Sequence, residues 1–166
     1  EAHAKLGRSY AKLNVPEEAL AELNIALRIN PNLAETYYQL GNTYGELKRE
    51  KEGLQPLRKA IQLKPGYLKA IYLLGKFNTV LENYFEAIPS LKSVDKTEPG
   101  FGETDFLLGK SLLKTGQNHD ALPYLQKAVL SNPKFSKAQY FLGQSLINIG
   151  RYKEALEPLK MAVEFQ

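Results

Sequence analysis

The sequence predicts an all-α protein built as an array of five helix pairs. Two observations carry this prediction: a Leu-Gly pair and a proline each recur every 34 residues, without insertion or deletion. A fixed period along the chain is typical of repeat proteins, in which one small unit stacks on copies of itself. The recurring residues are the glycines Gly7, Gly41, Gly75, Gly109 and Gly143 and the prolines Pro31, Pro65, Pro99 and Pro133.

Residues 34–67 show the pattern of one unit. Tyr37 and Leu40 begin a series of apolar and small residues at three- and four-residue steps, which predicts the first helix. After a polar turn, a second apolar series that begins at Leu54 predicts the second helix. Pro65 ends this helix, because proline lacks an amide hydrogen and disfavours helix in the residue before it.

Applied to all five units, the pattern predicts ten helices in a single array over residues 1–166. Within each pair, the glycine lets the two backbones approach closely. A leucine 16 residues after each glycine is expected to pack in the layer between neighbouring units. The predicted units are residues 1–33, 34–67, 68–101, 102–135 and 136–166.

The Leu-Gly pair, the small residue twelve places later, the bulky residue four places further on and the closing proline resemble the tetratricopeptide repeat. The resemblance covers nearly the whole chain. It implies a right-handed superhelical solenoid of antiparallel helix pairs, with a concave groove formed by the first helix of each unit. It also implies a non-catalytic scaffold that binds a peptide segment of another protein in that groove.

The third repeat departs from the pattern. Phe77 stands where the other four repeats have Ser or Thr, and Asn78 stands where a large apolar residue is usual. We expect a local repacking in which Phe77 takes over the core position; the alternative is a softened joint. Gly100 and Gly102 should also loosen the start of the fourth repeat. Prolines inside the second helices are expected to bend these helices without breaking them: Pro56, Pro89, Pro123 and Pro158.

Composition and motifs do not support catalysis. The chain has no cysteine, and its only histidines, His3 and His119, lie in different repeats without a metal-ligand spacing. No glycine-rich phosphate loop or nucleophile motif is present. We therefore expect no enzymatic activity, no metal and no cofactor. No apolar run is long enough to predict a membrane span.

The groove residues follow from the position of each residue in the repeat, as the resemblance implies. Aromatic rings on the first helices are accompanied by cations one turn away, and counting edge positions the groove holds seven basic and four acidic side chains. Rings and cations favour a peptide partner with acidic and apolar groups, although packing between helices could account for the tyrosines. The candidate residues are Tyr38, Asn42, Lys69, Tyr72, Lys76, Phe106, Lys110, Lys114, Lys137, Tyr140 and Gln144.

Two alternatives to peptide binding remain at this point: a docking or regulatory module of a larger enzyme or assembly, and a solenoid that binds RNA or another polyanion. The net charge is only 22 minus 18, or +4, and acidic residues interrupt the basic track, so nucleic acid is disfavoured. The carboxylate clamp of chaperone-binding tetratricopeptide domains is also disfavoured. Of its five positions only the lysine, Lys69, is matched.

The chain begins at Glu1 rather than methionine and shows no targeting segment, so we interpret it as a piece of a longer protein. Its compartment stays open, with the cytoplasm slightly favoured. Leu159, Val163 and Phe165 of the last predicted helix are expected to expose a face. That face should be covered by self-association, by another molecule or by a continuing chain.

Overall fold

A computed structural model describes residues 1–166 and contains ten helices and no strand, which confirms the predicted fold class and the helix count. The helices are α1 Ala2–Lys12, α2 Pro16–Ile29, α3 Ala34–Glu46, α4 Glu50–Leu63, α5 Leu68–Val80, α6 Tyr84–Thr97, α7 Thr104–Lys114, α8 Asn118–Ser131, α9 Ser136–Asn148 and α10 Tyr152–Glu164. In four of the predicted repeats the two helices pack on each other: α1 on α2, α3 on α4, α7 on α8 and α9 on α10.

The helices group into two compact units, residues 1–82 and 83–166, which we call unit 1 and unit 2. Unit 1 holds α1 to α5, and within it each helix packs on its neighbour in the chain, from α1 on α2 to α4 on α5. Unit 2 holds α6 to α10 and is built in the same way. The first helices of neighbouring repeats also touch directly, α1 with α3 and α3 with α5 in unit 1, and α7 with α9 in unit 2. The single array over residues 1–166 stays a prediction.

The recurring glycine marks the closest contact inside a helix pair. A Cβ atom at Gly41 would lie 2.7 Å from Cγ of Leu57, and one at Gly143 would lie 2.6 Å from Cγ of Leu159. Leu57 is fully buried. The leucine series, which was expected between neighbouring repeats, thus makes this close approach to the glycine of its own repeat.

Phe77 fills a core position, as the sequence predicts, and only 3% of it is exposed. Its ring lies in space left by two glycines of the second repeat. A Cβ atom at Gly53 would lie 2.6 Å from the ring, and one at Gly45 would also overlap it. The neighbouring Asn78 is buried as well.

The start of the fourth repeat is irregular, as predicted. Helix α7 begins at Thr104, two residues after the predicted boundary, and has 11 residues where α3, α5 and α9 have 13. Gly100 and Gly102 precede it with φ angles of 78° and 58°. The Thr104 hydroxyl donates to the carbonyl of Phe101 and holds the shortened start.

The internal prolines do not break the second helices, as expected. Pro56 lies inside α4 and Pro158 inside α10, and both helices continue through the proline. Pro89 and Pro123 are accommodated in the same way in α6 and α8.

The turn inside each pair has a feature that the sequence reading missed. One residue in every turn has a left-handed backbone, with φ between 56° and 80°, and these residues are spaced 34 apart. Glycine adopts this conformation without the steric cost that other residues meet. The five residues are Asn14, Lys48, Glu82, Gly116 and Gly150.

Candidate functional site

The candidate residues lie on the first helices, which form one face in each unit. We call the surface of α3 and α5 the unit 1 face and the surface of α7 and α9 the unit 2 face. Each face is built by first helices in direct contact, so side chains from two repeats come together on it.

On the unit 1 face, Tyr38 is packed against a ring from the next repeat. Its ring centroid lies 5.2 Å from that of Tyr67, which begins the third repeat. The Tyr67 hydroxyl donates to the carboxylate of Glu35, and the Gln39 amide donates to the same carboxylate at 2.9 Å. Lys64 Nζ lies 4.7 Å from the centroid of the Tyr67 ring.

These contacts change the ionisation of the cluster. Burial, followed by the hydrogen bond and the charge of Glu35, raises the pKa of Tyr67. For Glu35, burial alone would raise the pKa, but the hydrogen bonds from Tyr67 and Gln39 and the charges of Arg8 and Lys69 lower it overall. Glu35 is therefore held as a carboxylate, and Lys69 contributes to holding it.

Asn42 and Lys76 come together in a shallow pocket of about 230 Å³ on the same face. Glu46 and Leu73 also line it, and Asn42 Nδ2 donates to Glu46 Oε1 at 2.8 Å. Tyr72, one turn before Lys76 on α5, is half-buried. The pocket thus combines a lysine with a carboxylate from the neighbouring repeat.

On the unit 2 face, the aromatic candidates divide into a buried ring and an exposed one. Phe106 is only 8% exposed and lies against Phe135 and Phe141, with centroid distances of 4.6 and 5.9 Å. Tyr140 is 50% exposed and meets the edge of Phe141 at 5.3 Å. Phe106 therefore supports the face, and Tyr140 presents a ring to solvent.

Two lysines of α7 share one ring of α9. Lys110 Nζ lies 5.8 Å and Lys114 Nζ 5.7 Å from the centroid of Phe141. Lys110 Nζ is also 6.0 Å from the ring of Tyr84 on α6. Two ammonium groups and an aromatic ring from a second repeat therefore converge at one place.

The remaining candidates of unit 2 lie further along α9. Lys137 and Tyr140 line an open pocket of about 690 Å³, together with Leu159 and Val163 of α10. Gln144 carries a side-chain oxygen that is buried without a hydrogen-bond partner.

Three aromatic residues of the site were missed from the sequence. Tyr67 and Phe135 immediately precede first helices. The sequence contained a pattern that could have identified them, because this position of the repeat is always apolar or aromatic: Leu33, Tyr67, Phe101 and Phe135. Phe141 had no such signal, since its counterparts include Lys5 and Gln39. Only the packing of α7 on α9 reveals its role.

The two histidines lie in different helices and in different surroundings. His3 Nδ1 lies 2.5 Å from a carboxylate oxygen of Glu22, and His119 is exposed near the start of α8. No group of three or more His, Cys, Asp or Glu side chains is placed to hold a metal ion. None of the ten helices combines the length and the hydropathy needed to cross a membrane.

Comparisons with known proteins give one consistent family. Three family models match: two described as Tetratricopeptide repeat, over residues 34–67 and 106–166, and one described as TPR repeat, over residues 7–48. No curated protein sequence matches the chain significantly.

Solved structures of MamA are similar over nearly the whole chain. The structure of MamA, residue 41 to the end, from Desulfovibrio magneticus RS-1 is 27% identical and aligns with a TM-score of 0.87, covering 99% of this chain and 96% of that one. MamA AMB-1 is 24% identical with a TM-score of 0.89, covering 99% and 97% of the two chains. At 24% identity, the similarity to MamA AMB-1 shows a shared fold only.

Proposed function

The chain belongs to the tetratricopeptide-repeat family, and we propose that it binds a peptide segment of another protein on its first-helix faces. Tetratricopeptide repeats and the MamA-like fold support a protein-interaction scaffold, and they are typical of repeat proteins without catalytic activity. The proposal adds to this the surface that binds and the chemistry of the bound segment.

The observation that carries the proposal is the pair of lysines on Phe141. A cation over an aromatic face is attracted by the ring, by about 0.5–1 kcal/mol at an exposed site. The ring thereby holds the Lys110 and Lys114 ammonium groups side by side on one surface. A carboxylate of a bound segment would be attracted by both charges at once.

Tyr140 gives this surface an apolar contact beside the charges. Its half-exposed ring is fixed by its edge contact with Phe141, so it can receive an apolar side chain without losing much rotamer freedom. We therefore propose an extended segment that carries an acidic residue and an apolar residue close together, with the acidic residue at Lys110 and Lys114.

The unit 1 face supports a more mixed contact. Glu35 and Glu46 already accept hydrogen bonds from Tyr67 and Asn42, and their charges offset those of Lys69 and Lys76. We propose that this face binds polar and aromatic parts of the segment, through Tyr38, Asn42, Tyr72 and the two lysines.

Binding of a labelled peptide tests the proposal. The probe is an eight-residue fluorescent peptide with three aspartates and two leucines, and its counterpart has asparagine at the three aspartates. Fluorescence anisotropy should show that the wild-type chain prefers the acidic peptide. The Lys110→Glu/Lys114→Glu variant should bind it at least tenfold more weakly, since about 1.4 kcal/mol corresponds to a factor of ten.

A matched control reverses the same amount of charge elsewhere in unit 2. Lys92 and Lys96 are exposed on α6, a second helix, so Lys92→Glu/Lys96→Glu should leave the affinity within about twofold. Equal losses in both variants would show that only net charge matters. Tighter binding of an RNA homopolymer, with a steep loss of affinity as salt rises, would favour the polyanion alternative.

Self-association through α10 is a second proposal, favoured by the exposure of its apolar side chains. Leu156 is 59% and Val163 74% exposed. A Leu156→Glu/Val163→Glu variant should remove any concentration-dependent increase in mass seen by light scattering. A wild-type chain that stays monomeric at millimolar concentration would contradict the proposal.

A further inference from the structure

A pocket of about 460 Å³ lies between α1 and α3 in unit 1. Ala4 of α1 and Leu33, which immediately precedes α3, both line it. We call it the α1–α3 pocket. Its volume lies within the range of about 300–1,000 Å³ that is typical of ligand pockets. None of the candidate residues predicted from the sequence lines it, and the function proposed above does not use it.

The repeat explains why this pocket is open. In the second repeat the ring of Tyr38 lies 5.2 Å from that of Tyr67, which precedes the next first helix. Ala4 and Leu33 stand at the corresponding positions one repeat earlier and supply no ring. The pocket therefore lies where other repeats place a pair of rings. All other residues at these two positions are aromatic: Tyr38, Tyr72, Phe106 and Tyr140 at the first, and Tyr67, Phe101 and Phe135 at the second.

The polar edge of the ring pair is nevertheless present in the first repeat. In the second repeat the Tyr67 hydroxyl donates to the carboxylate of Glu35, which also accepts from Gln39 at 2.9 Å. Glu1 and Lys5 stand at the positions of Glu35 and Gln39, and Lys5 Nζ lies 3.2 Å from a carboxylate oxygen of Glu1. Both line the pocket. The first repeat thus has the carboxylate that accepts from a tyrosine, but no tyrosine at the matching position.

Arg8 adds a planar cation to the lining of the pocket, and its side chain is exposed. Beside the Tyr67 ring the cation is Lys64, whose Nζ lies 4.7 Å from the ring centroid. The first repeat has Asn30 at the position of Lys64, and Asn30 also lines the pocket. Since a guanidinium group stacks on aromatic faces, Arg8 of α1 can supply the cation instead.

We propose that the α1–α3 pocket binds a tyrosine side chain of the partner segment. The ring packs on Ala4 and Leu33, the hydroxyl donates to the carboxylate of Glu1, and the Arg8 guanidinium covers the ring face. The bound tyrosine thereby completes in the first repeat the packing that Tyr38 and its partner ring provide in the second. Phenylalanine would leave the carboxylate without this donor, and leucine would offer the cation no aromatic face.

The assignment of this tyrosine to a partner segment rests on the proposed function. The pocket itself is lined only by residues of unit 1, whereas Lys110 and Lys114 belong to unit 2. The pocket is therefore tested with its own probe and its own variants, and its result does not depend on the acidic peptide.

An NMR titration of the whole nitrogen-15-labelled chain with N-acetyl-tyrosinamide tests the pocket. The wild type should show saturable shifts of the amides of Ala4, Arg8 and Leu33, with a dissociation constant of the order of 1 mM. Ala4→Tyr should bind the probe at least tenfold more weakly, because its own ring fills the pocket as Tyr38 does in the second repeat. Ser9→Tyr adds a ring to an exposed position of α1 outside the pocket and should bind as the wild type does.

Two related probes test the chemistry of the pocket on the wild-type chain alone, so they decide the question even if Ala4→Tyr fails to fold. N-acetyl-phenylalaninamide should bind about threefold more weakly than the tyrosine probe, because it has no hydroxyl. N-acetyl-leucinamide should bind more weakly still. Equal affinity for the three probes would overturn the proposal, as would shifts that do not saturate or unchanged binding in Ala4→Tyr.

The same titration separates this proposal from the proposed function. Lys110→Glu/Lys114→Glu should bind N-acetyl-tyrosinamide within about twofold of the wild type, because these lysines do not line the pocket. A wild-type chain that binds this probe but not the acidic peptide would support the pocket and contradict the proposed peptide site on α7. A chain that binds the acidic peptide but not this probe would overturn the pocket alone.

Discussion

The ring of Phe77 occupies the space that a side chain at Gly53 would need. A Cβ atom at Gly53 would lie 2.6 Å from this ring, and Phe77 is almost completely buried. The other repeats have Ser or Thr at the position of Phe77 and alanine at the position of Gly53. The two departures, in different repeats, therefore compensate each other.

This relationship predicts that the effect of Gly53→Ala on the free energy of unfolding changes sign when Phe77 is also replaced. Gly53→Ala should destabilise the wild-type chain by about 1–3 kcal/mol, because the added methyl group overpacks the core. In a Phe77→Ser background the clash with the ring is gone, and the one close approach left is 3.0 Å to the carbonyl oxygen of Gly41. The same change should then stabilise α4 by up to about 1 kcal/mol through helix propensity. Urea denaturation measures both effects, and additive effects of the two substitutions would contradict the compensation.

The hydrogen bond from Tyr67 to Glu35 predicts a pH-dependent loss in Tyr67→Phe. At pH 7 this variant should lose about 1 kcal/mol of unfolding free energy, since Glu35 is a carboxylate that has lost a donor. The pKa of Glu35 is lowered in the folded chain, so its contribution is present above the unfolded pKa and disappears as pH falls through the folded pKa. The difference from wild type should shrink on acidification. Tyr37→Phe, in the same helix α3, is the control and should show no such trend.

The left-handed turns predict that a substitution to glycine can stabilise some of the repeats. Lys48 has a φ of 56°, at the position where Gly116 has 80°. Lys48→Gly should stabilise the chain by about 0.5–1 kcal/mol, because a residue with a Cβ meets a steric cost in this conformation. Gly116→Ala should destabilise it by a similar amount. Thermal unfolding compares the two, and equal signs would show that the backbone of the turn does not control stability.

Burial on α8 predicts very different outcomes for two leucines of the same helix. Leu125 is fully buried, and Leu130 is 82% exposed. Leu125→Ala should cost about 2–5 kcal/mol through lost burial and a residual cavity. Leu130→Ala should change the stability by no more than about 0.5 kcal/mol. Denaturant titrations that showed similar losses would mean that Leu130 is buried in solution.

The fold could be predicted because a strict period makes each repeat confirm the others. The glycine at Gly41 and the proline at Pro65 needed no knowledge of contacts, since their recurrence set the length of the unit and the apolar series that begin at Tyr37 and Leu54 placed two helices in it. The core role of Phe77 followed from its size. The contact of its ring with Gly53 could not be predicted, because the repeat period shows which positions are equivalent but not which positions are in contact between repeats.

The candidate site was less predictable for the same reason. The positions of Lys110 and Lys114 follow from the repeat, but their shared contact is Phe141, whose counterparts are polar in the first two repeats, leucine in the next two and never aromatic. The turn residue Lys48 gave no signal, since lysine seldom marks a left-handed backbone.

The distribution of the turn residues has a consequence for where the chain begins to unfold. Unit 1 places Asn14, Lys48 and Glu82 in its strained turns, whereas unit 2 has glycine at both of its turns, Gly116 and Gly150. Backbone strain of this kind lowers the free energy needed for local opening. Fraying of the helical hairpins, and the access it gives to proteases, should therefore begin in the amino-terminal half.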